Sequence, residues 1–150
     1  MMQKEVLKNL VVEYSKIRGI EIGTLAGDTV VSILKEIPNL HMITIDPEPQ
    51  LDKIKENLGV DKNRLAIVIA KSDDVKFGGM YCFVWIDGDH NYEQVKRDIK
   101  NYIPLIKSGG FIGGHDYGSP AYTDVKKAVD EIFKDKQINT GDDYTWWVYV

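Results

Sequence analysis

One cysteine and three histidines are all that the 150-residue chain holds of those types, and each scarcity excludes something. Cys82 has no partner, so there is no internal disulfide. Set inside the apolar stretch MYCFVWI, it is expected to be a buried, inert thiol in a reducing, cytoplasmic setting. No apolar run approaches the roughly 20 residues that span a bilayer, so no membrane partner is expected. The opening MMQKEVLKNL mixes acid and amide with apolar residues and lacks the compact apolar core of a secretion signal. Blocks of like charge are missing too. The net charge is −4 with lysines scattered, which argues against a nucleic-acid partner. What is present is ordinary for a globular protein, 43% hydrophobic and 28% charged, and the length predicts one domain over 1–150. No repeat, low-complexity segment or linker interrupts it.

Hydrophobic periodicity supplies the elements. Val6, Leu7, Leu10, Val11, Tyr14 and Ile17 keep a helical period, predicting an amphipathic helix over about 3–17, with the core from about 20 to 150. IEIG reads as a strand and 28–36 as a helix ended before Pro38. MITID follows as a strand, 49–58 as a helix, and LAIVIA and YCFVWID as further strands. Tyr92, Val95, Ile99 and Tyr102 mark one helix face, with Pro104 expected to kink or end that helix. GFIGG, a helix over 122–133, and YTWWVYV close the chain. Strands that alternate with helices and are apolar throughout predict an α/β domain, doubly wound about a mostly parallel sheet. The segment KSDDVKFGGM between two of these strands is too short and Gly-rich for a crossover helix, so an extended crossover is expected there.

In such sheets ligands collect at the carboxyl ends of the strands. The turn in GIEIGTLAGDTVVSIL has Gly23 and Gly27 where the backbone must turn sharply and a ligand can approach closely. Its helix opens at Asp28-Thr29 with free N–H groups. The spacing is G-x-x-x-G rather than the G-x-G-x-x-G of a dinucleotide site. Glu21 and Asp28 make the turn negative, which suits a ligand that brings positive charge, such as a sulfonium with an amino group. The plain alternative is a capped glycine turn. Asp46 ends the next strand, 19 residues beyond Gly27, where a carboxylate can take both hydroxyls of a ribose. Alternatively, Asp46-Pro47 is a helix-entry turn.

Two of the histidines fall at the next strand ends. IDGDHNYE carries Asp87, Asp89 and His90, and GGHDYG carries His115 and Asp116. Neighbouring strands would gather these groups at the edge of the nucleoside cleft. Asp87, His115 and Asp116 offer a divalent metal three oxygen and nitrogen ligands. His90, one helical turn past Asp87, is placed as a general base. The structural alternatives are turns at Asp87-Gly88 and Asp116 and a helix cap at Asp89 or Asn91.

Together EIGTLAGDT, the strand-ending Asp46, IDGDHNYEQVKRDI and LIKSGGFIGGHDYG resemble the small class I S-adenosylmethionine-dependent methyltransferases. The nearest group is that of sugar and natural-product O-methyltransferases with D-G-D-H-x-Y and G-G-H-D-Y motifs. The resemblance implies a Rossmann-like sheet of seven strands, the last antiparallel. It implies S-adenosylmethionine as cofactor, held by Glu21, Gly23, Thr24, Gly27, Thr29, Asp46 and Asp87, with Ser72, and Asp73 beside it, at the adenine. Similarity to catechol-type enzymes implies magnesium or another divalent metal on Asp87, His115 and Asp116, with His90 at the base position and His115 and Asp87 also in the catalytic set. The acceptor implied is a small hydroxylated molecule. Relatives often cover the substrate with added helices. Few residues precede Ile20 here, so a second copy of the chain is expected as a possible cover. Three other readings compete: an NAD-dependent oxidoreductase, a nucleic-acid methyltransferase, and a non-catalytic S-adenosylmethionine-binding domain.

Overall fold

The computed structural model describes residues 15–59 and 62–150. Seven strands form one sheet in the order β3-β2-β1-β4-β5-β7-β6. They are β1 Ile17–Ile22, β2 Leu40–Asp46, β3 Leu65–Ile69, β4 Tyr81–Ile86, β5 Ile106–Gly114, β6 Asn139–Thr140 and β7 Trp146–Tyr149. Pairing is parallel from β3 through β5, while β7 runs antiparallel to both of its neighbours. The helices are α1 Asp28–Glu36, α2 Leu51–Asn57, α3 Tyr92–Tyr102 and α4 Thr123–Ile132.

The continuous apolar strands are explained by cover on both faces. Every residue of β4 is buried, and from Phe83 to Ile86 its side chains alternate between two cores, as the period of two demands, the register shift between Tyr81 and Phe83 breaking the alternation before that. Val84 and Ile86 join Val95, Ile99 and Tyr102 of α3 and Val125, Ala128 and Val129 of α4. Phe83 and Trp85 join Val30, Val31, Ile33 and Leu34 of α1 on the opposite face. Cys82 is a free, buried thiol in that second core.

The expected N-terminal helix lies almost wholly outside the described residues, but its proposed last residue does not. Ile17 begins β1 and is fully buried in the sheet, so any helix ends before it. The 71–80 segment does cross from β3 to β4 without a helix beyond a single 3-10 turn, Ser72–Asp74. Pro104 falls in a second such turn, Ile103–Leu105, that ends α3.

Candidate functional site

The parallel register brings the strand ends level. Ile22 pairs with Ile45 on one side and Ile86 on the other, and Ile86 pairs with Gly114. The ladder continues into the loops: Gly23 N–H donates to Ile45, Asp87 N–H to Ile22 and His115 N–H to Ile86. Each strand-end acid or histidine is thereby held at the same rim. A cavity of about 600 Å³ opens above β1, β2 and β4.

Gly23 explains how the rim closes so tightly. Its φ is +89°, and a Cβ there would stand 2.0 Å from the Asp87 carbonyl oxygen. Only glycine fits both the left-handed backbone and the close strand approach. Gly27 does not line the cavity; left-handed at φ +79°, it starts α1 against Ile54. Glu21, Gly23, Thr24, Thr29, Asp46, Ser72, Asp87 and His90 all line the cavity.

Asp46 already has occupation. Its Oδ2 accepts from the N–H groups of Thr24 at 2.9 Å and Leu25 at 2.8 Å, and Oδ1 accepts from Glu48 N–H at 2.7 Å. The acid thus fixes the glycine turn and the β2 exit together. A carboxylate has about four lone-pair sites, which leaves capacity for a ligand hydroxyl. The turn reading and the ligand reading of this residue are therefore compatible.

Glu21 is 1% exposed. Thr44 Oγ1 donates to it at 2.9 Å, and Thr44 in turn contacts Thr24 Oγ1. Burial, reinforced by the Asp87 and Asp46 carboxylates and opposed by the Thr44 hydrogen bond, pushes its carboxyl up to about 8. A cation brought beside this buried acid would favour its charged form.

At the far rim His90 lies between two acids. Its Nε2 is 2.7 Å from Asp116 Oδ2 and 3.8 Å from Asp87 Oδ1. The 2.7 Å contact lacks hydrogen-bond alignment, leaving Nε2 buried without a proper hydrogen-bond partner. Asp87 first, and Asp116 with it, raises the imidazole above its ordinary value, against the opposing effect of burial. Tyr122 stacks on the ring at 4.0 Å between centroids. Asp116 is held at φ +66°, an uncommon backbone state of the kind that gathers at functional sites.

Asp87, His90 and Asp116 each present a ligand atom, all within 4.8 Å of one another, and this is the metal-capable group among the described residues. His115 stands outside it, with Nδ1 3.3 Å from Asp116 Oδ2. The donor set fits a divalent cation, with His90 in the place given to His115 by the sequence pattern. Asn91, rather than Asp89, caps α3, accepting from Glu93 N–H at 3.0 Å. Asp89 accepts from Asn91 N–H at 2.8 Å.

The sequence reading missed three contributors. Tyr122 has no motif of its own. Gln94 and Asp98 line the cavity from α3, and the helical period past Tyr92 was the only available sign of their direction. Asp73 points elsewhere, toward Arg97 at 3.2 Å and Asn101 at 3.3 Å.

Comparison with known proteins gives this arrangement its class. A methyltransferase-domain family model matches residues 20–117, and the chain belongs to that family. An uncharacterised protein of Acanthamoeba polyphaga mimivirus is 26% identical over 148 residues, covering 88% of this chain and 67% of that protein. The O-methyltransferase NovP superposes with a TM-score of 0.78 at 14% identity, over 97% of this chain and 76% of that one. A TDP-rhamnose 3'-O-methyltransferase of calicheamicin biosynthesis gives 0.74 at 14% identity, over 97% and 76%. The cofactor-bound Rv0187 from MTB gives 0.75 at 21% identity, over 99% and 79%. The fold is that of the class I S-adenosylmethionine-dependent methyltransferases.

Proposed function

We propose that the protein transfers a methyl group from S-adenosylmethionine to a hydroxyl of a small acceptor, a sugar or natural product. The observation that carries this reading is one acid-lined cavity containing both the glycine turn with Asp46 and, at its rim, His90. The donor's ribose hydroxyls meet Asp46, and its amino-acid end lies by Gly23, where the negative turn suits an ammonium. The acceptor approaches over His90. Its oxygen forms a bond to the methyl carbon as the carbon–sulfur bond breaks. That electron pair stays on sulfur, which becomes a neutral thioether, and the hydroxyl proton passes to neutral His90. The protein's main contribution is to hold donor and acceptor in line.

A second reading has an observation of its own, the three ligand atoms of Asp87, His90 and Asp116. A divalent cation there would lower the acceptor hydroxyl's pKa. It would also occupy the imidazole nitrogen that otherwise takes the proton, so the two roles of His90 exclude each other. Thermal-shift titration with S-adenosylmethionine, S-adenosylhomocysteine and NAD tests the donor. A donor at about 100 times its dissociation constant stabilises by about 2.7 kcal/mol. Preference for NAD overturns the reading. Methyl transfer to a panel of hydroxylated acceptors, with and without chelator, then separates catalysis from donor binding alone and decides between base and metal.

A further inference from the structure

The end of the sheet opposite the donor cavity carries a recess of its own, of about 310 Å³. It lies where the first residues of β1, β2 and β3 meet. Side chains alternate along a strand, so Arg18, His41, Ile43 and Ala66 share the face on which Ile20 and Val68 join the core of α3 and α4. The chain from β3 to β4 offers that face only the 3-10 turn Ser72–Asp74 in place of a crossover helix. The sheet is left open at this corner, with Tyr81 in the lining of the recess.

The charge of this recess is one-sided. Lys16, Arg18, Lys62 and Arg64 line it, His41 lines it too, and among the described residues no carboxylate does. In a chain of net charge −4, cations gathered round one concavity repel one another, and an anion seated between them relieves that repulsion. The surroundings also hold the cations in place. The Arg18 guanidinium lies over the Tyr81 ring, 4.7 Å from its centroid, and donates to Tyr81 OH at 3.5 Å. Tyr81 OH donates in turn to the Gly78 carbonyl at 3.4 Å. A planar fork stacked in this way keeps further N–H donors for a ligand. Lys16 precedes Ile17, whose N–H donates to the Asn39 carbonyl at 3.0 Å. Arg64 donates to the carbonyls of Leu34 at 2.9 Å and Ile37 at 3.0 Å, which ties down the turn that bears Lys62. Its donors serve the end of α1 while its charge stays beside the recess.

We propose that this recess binds the dianionic phosphate group of a small molecule, with Lys16, Arg18 and Lys62 making the direct contacts. The site stands apart from the methyl-transfer reading and does not depend on it. Arg18 lines the recess and Ile22 the donor cavity, and they stand about 13 Å apart at the rise of a strand. The volume is at the low end for small-molecule sites, enough for a phosphate and a short organic body. A nucleic-acid backbone needs a basic stripe to follow, whereas these cations converge on one concavity.

Inorganic phosphate is the probe, titrated at low ionic strength and followed through backbone amide NMR shifts. Saturable one-site binding is expected, with the shifts concentrated at Arg18, His41 and Ala66. Sulfate should reproduce it, and acetate at equal ionic strength should not, since screening by salt is then the same for both. Arg18→Gln and Lys62→Gln, both at exposed positions, are each expected to weaken binding by about tenfold. Lys134→Gln, an exposed lysine outside the recess, should leave it unchanged, and S-adenosylhomocysteine should not displace the anion. Shifts that fail to saturate, that ignore both substitutions, or that gather at the donor rim overturn the proposal. Binding of heparin without binding of phosphate overturns it as well, and makes the recess part of a surface for polyanions.

Discussion

His90 Nε2 and Asp116 Oδ2 approach to 2.7 Å although their residues come from different strand ends. Asp87 completes the pair from the other side. The imidazole is raised above 6.5 by those acids, Asp87 first, and only its neutral form can accept a proton. Turnover is therefore expected to fall as pH drops, with the acid limb centred above 6.5. Asp116→Asn removes one of the charges and moves that limb to lower pH. His90→Ala lowers kcat by about a hundredfold or more, with donor affinity nearly unchanged. A pH–rate profile of the three proteins checks this, and a limb that ignores both substitutions removes His90 from the mechanism.

Asp46 combines two duties, so its variants should separate them. Asp46→Ala leaves the Thr24, Leu25 and Glu48 N–H groups without their acceptor and is expected to lower the apo melting temperature. It also weakens S-adenosylhomocysteine binding by about 1.5–3 kcal/mol. Asp46→Asn keeps one carbonyl oxygen for the turn and should be milder in melting while still losing affinity. Calorimetry on both variants reads the two effects independently.

Glu21 ties the cavity to stability. Its carboxyl titrates near 4.5 when free and is pushed to about 8 here. Between those values the folded protein keeps a proton that the unfolded chain has lost. Stability is therefore expected to decline as pH rises across that window, by up to a few kcal/mol. Glu21→Gln removes the decline, so its advantage in melting temperature should grow toward pH 8. A cationic donor draws the acid back to its charged form. Binding below about pH 8 is then expected to release a proton, visible as a buffer-dependent binding enthalpy.

Gly23→Ala tests the rim itself. The added methyl meets the Asp87 carbonyl at 2.0 Å in a backbone state that L side chains avoid. The expected cost is about 2–5 kcal/mol, read as a lower melting temperature. Because β1 and β4 must part to admit the methyl, donor binding should fall as well.

Much of this was legible in the chain. The Asp28–Glu36 helix follows from its apolar spacing and its glycine entry, and the observed bounds agree. The helixless crossover followed from the shortness and the glycine content of its segment. β6 escaped because Asn139–Thr140 is two residues long and carries no apolar alternation. The first half of β5 was hidden by Lys107, Ser108 and Gly109, polar or small residues where the β4 pairing also shifts register. The strand-end acids and histidines stood out because strand ends converge. Asp98 did not, since it sits among charged neighbours and owes its burial to Ser72 arriving from the crossover.

The crossover between β3 and β4 has a kinetic consequence. A helix in that position would lay a full apolar face across β2 and β3. Here Val75 and Phe77 pack against the first core, Phe77 with its ring beside Tyr81 and Tyr102, and no residue of β3 is fully buried, with Ile69 60% exposed. The sheet is thus asymmetric in its resistance to opening. Amide hydrogens of Leu65–Ile69 should exchange through local fraying that leaves β1, β4 and β5 closed. Because Asp46 pairs with Ile69 at that margin, a ligand held at Asp46 would slow exchange in β3, and the edge of the sheet becomes a reporter of cavity occupancy.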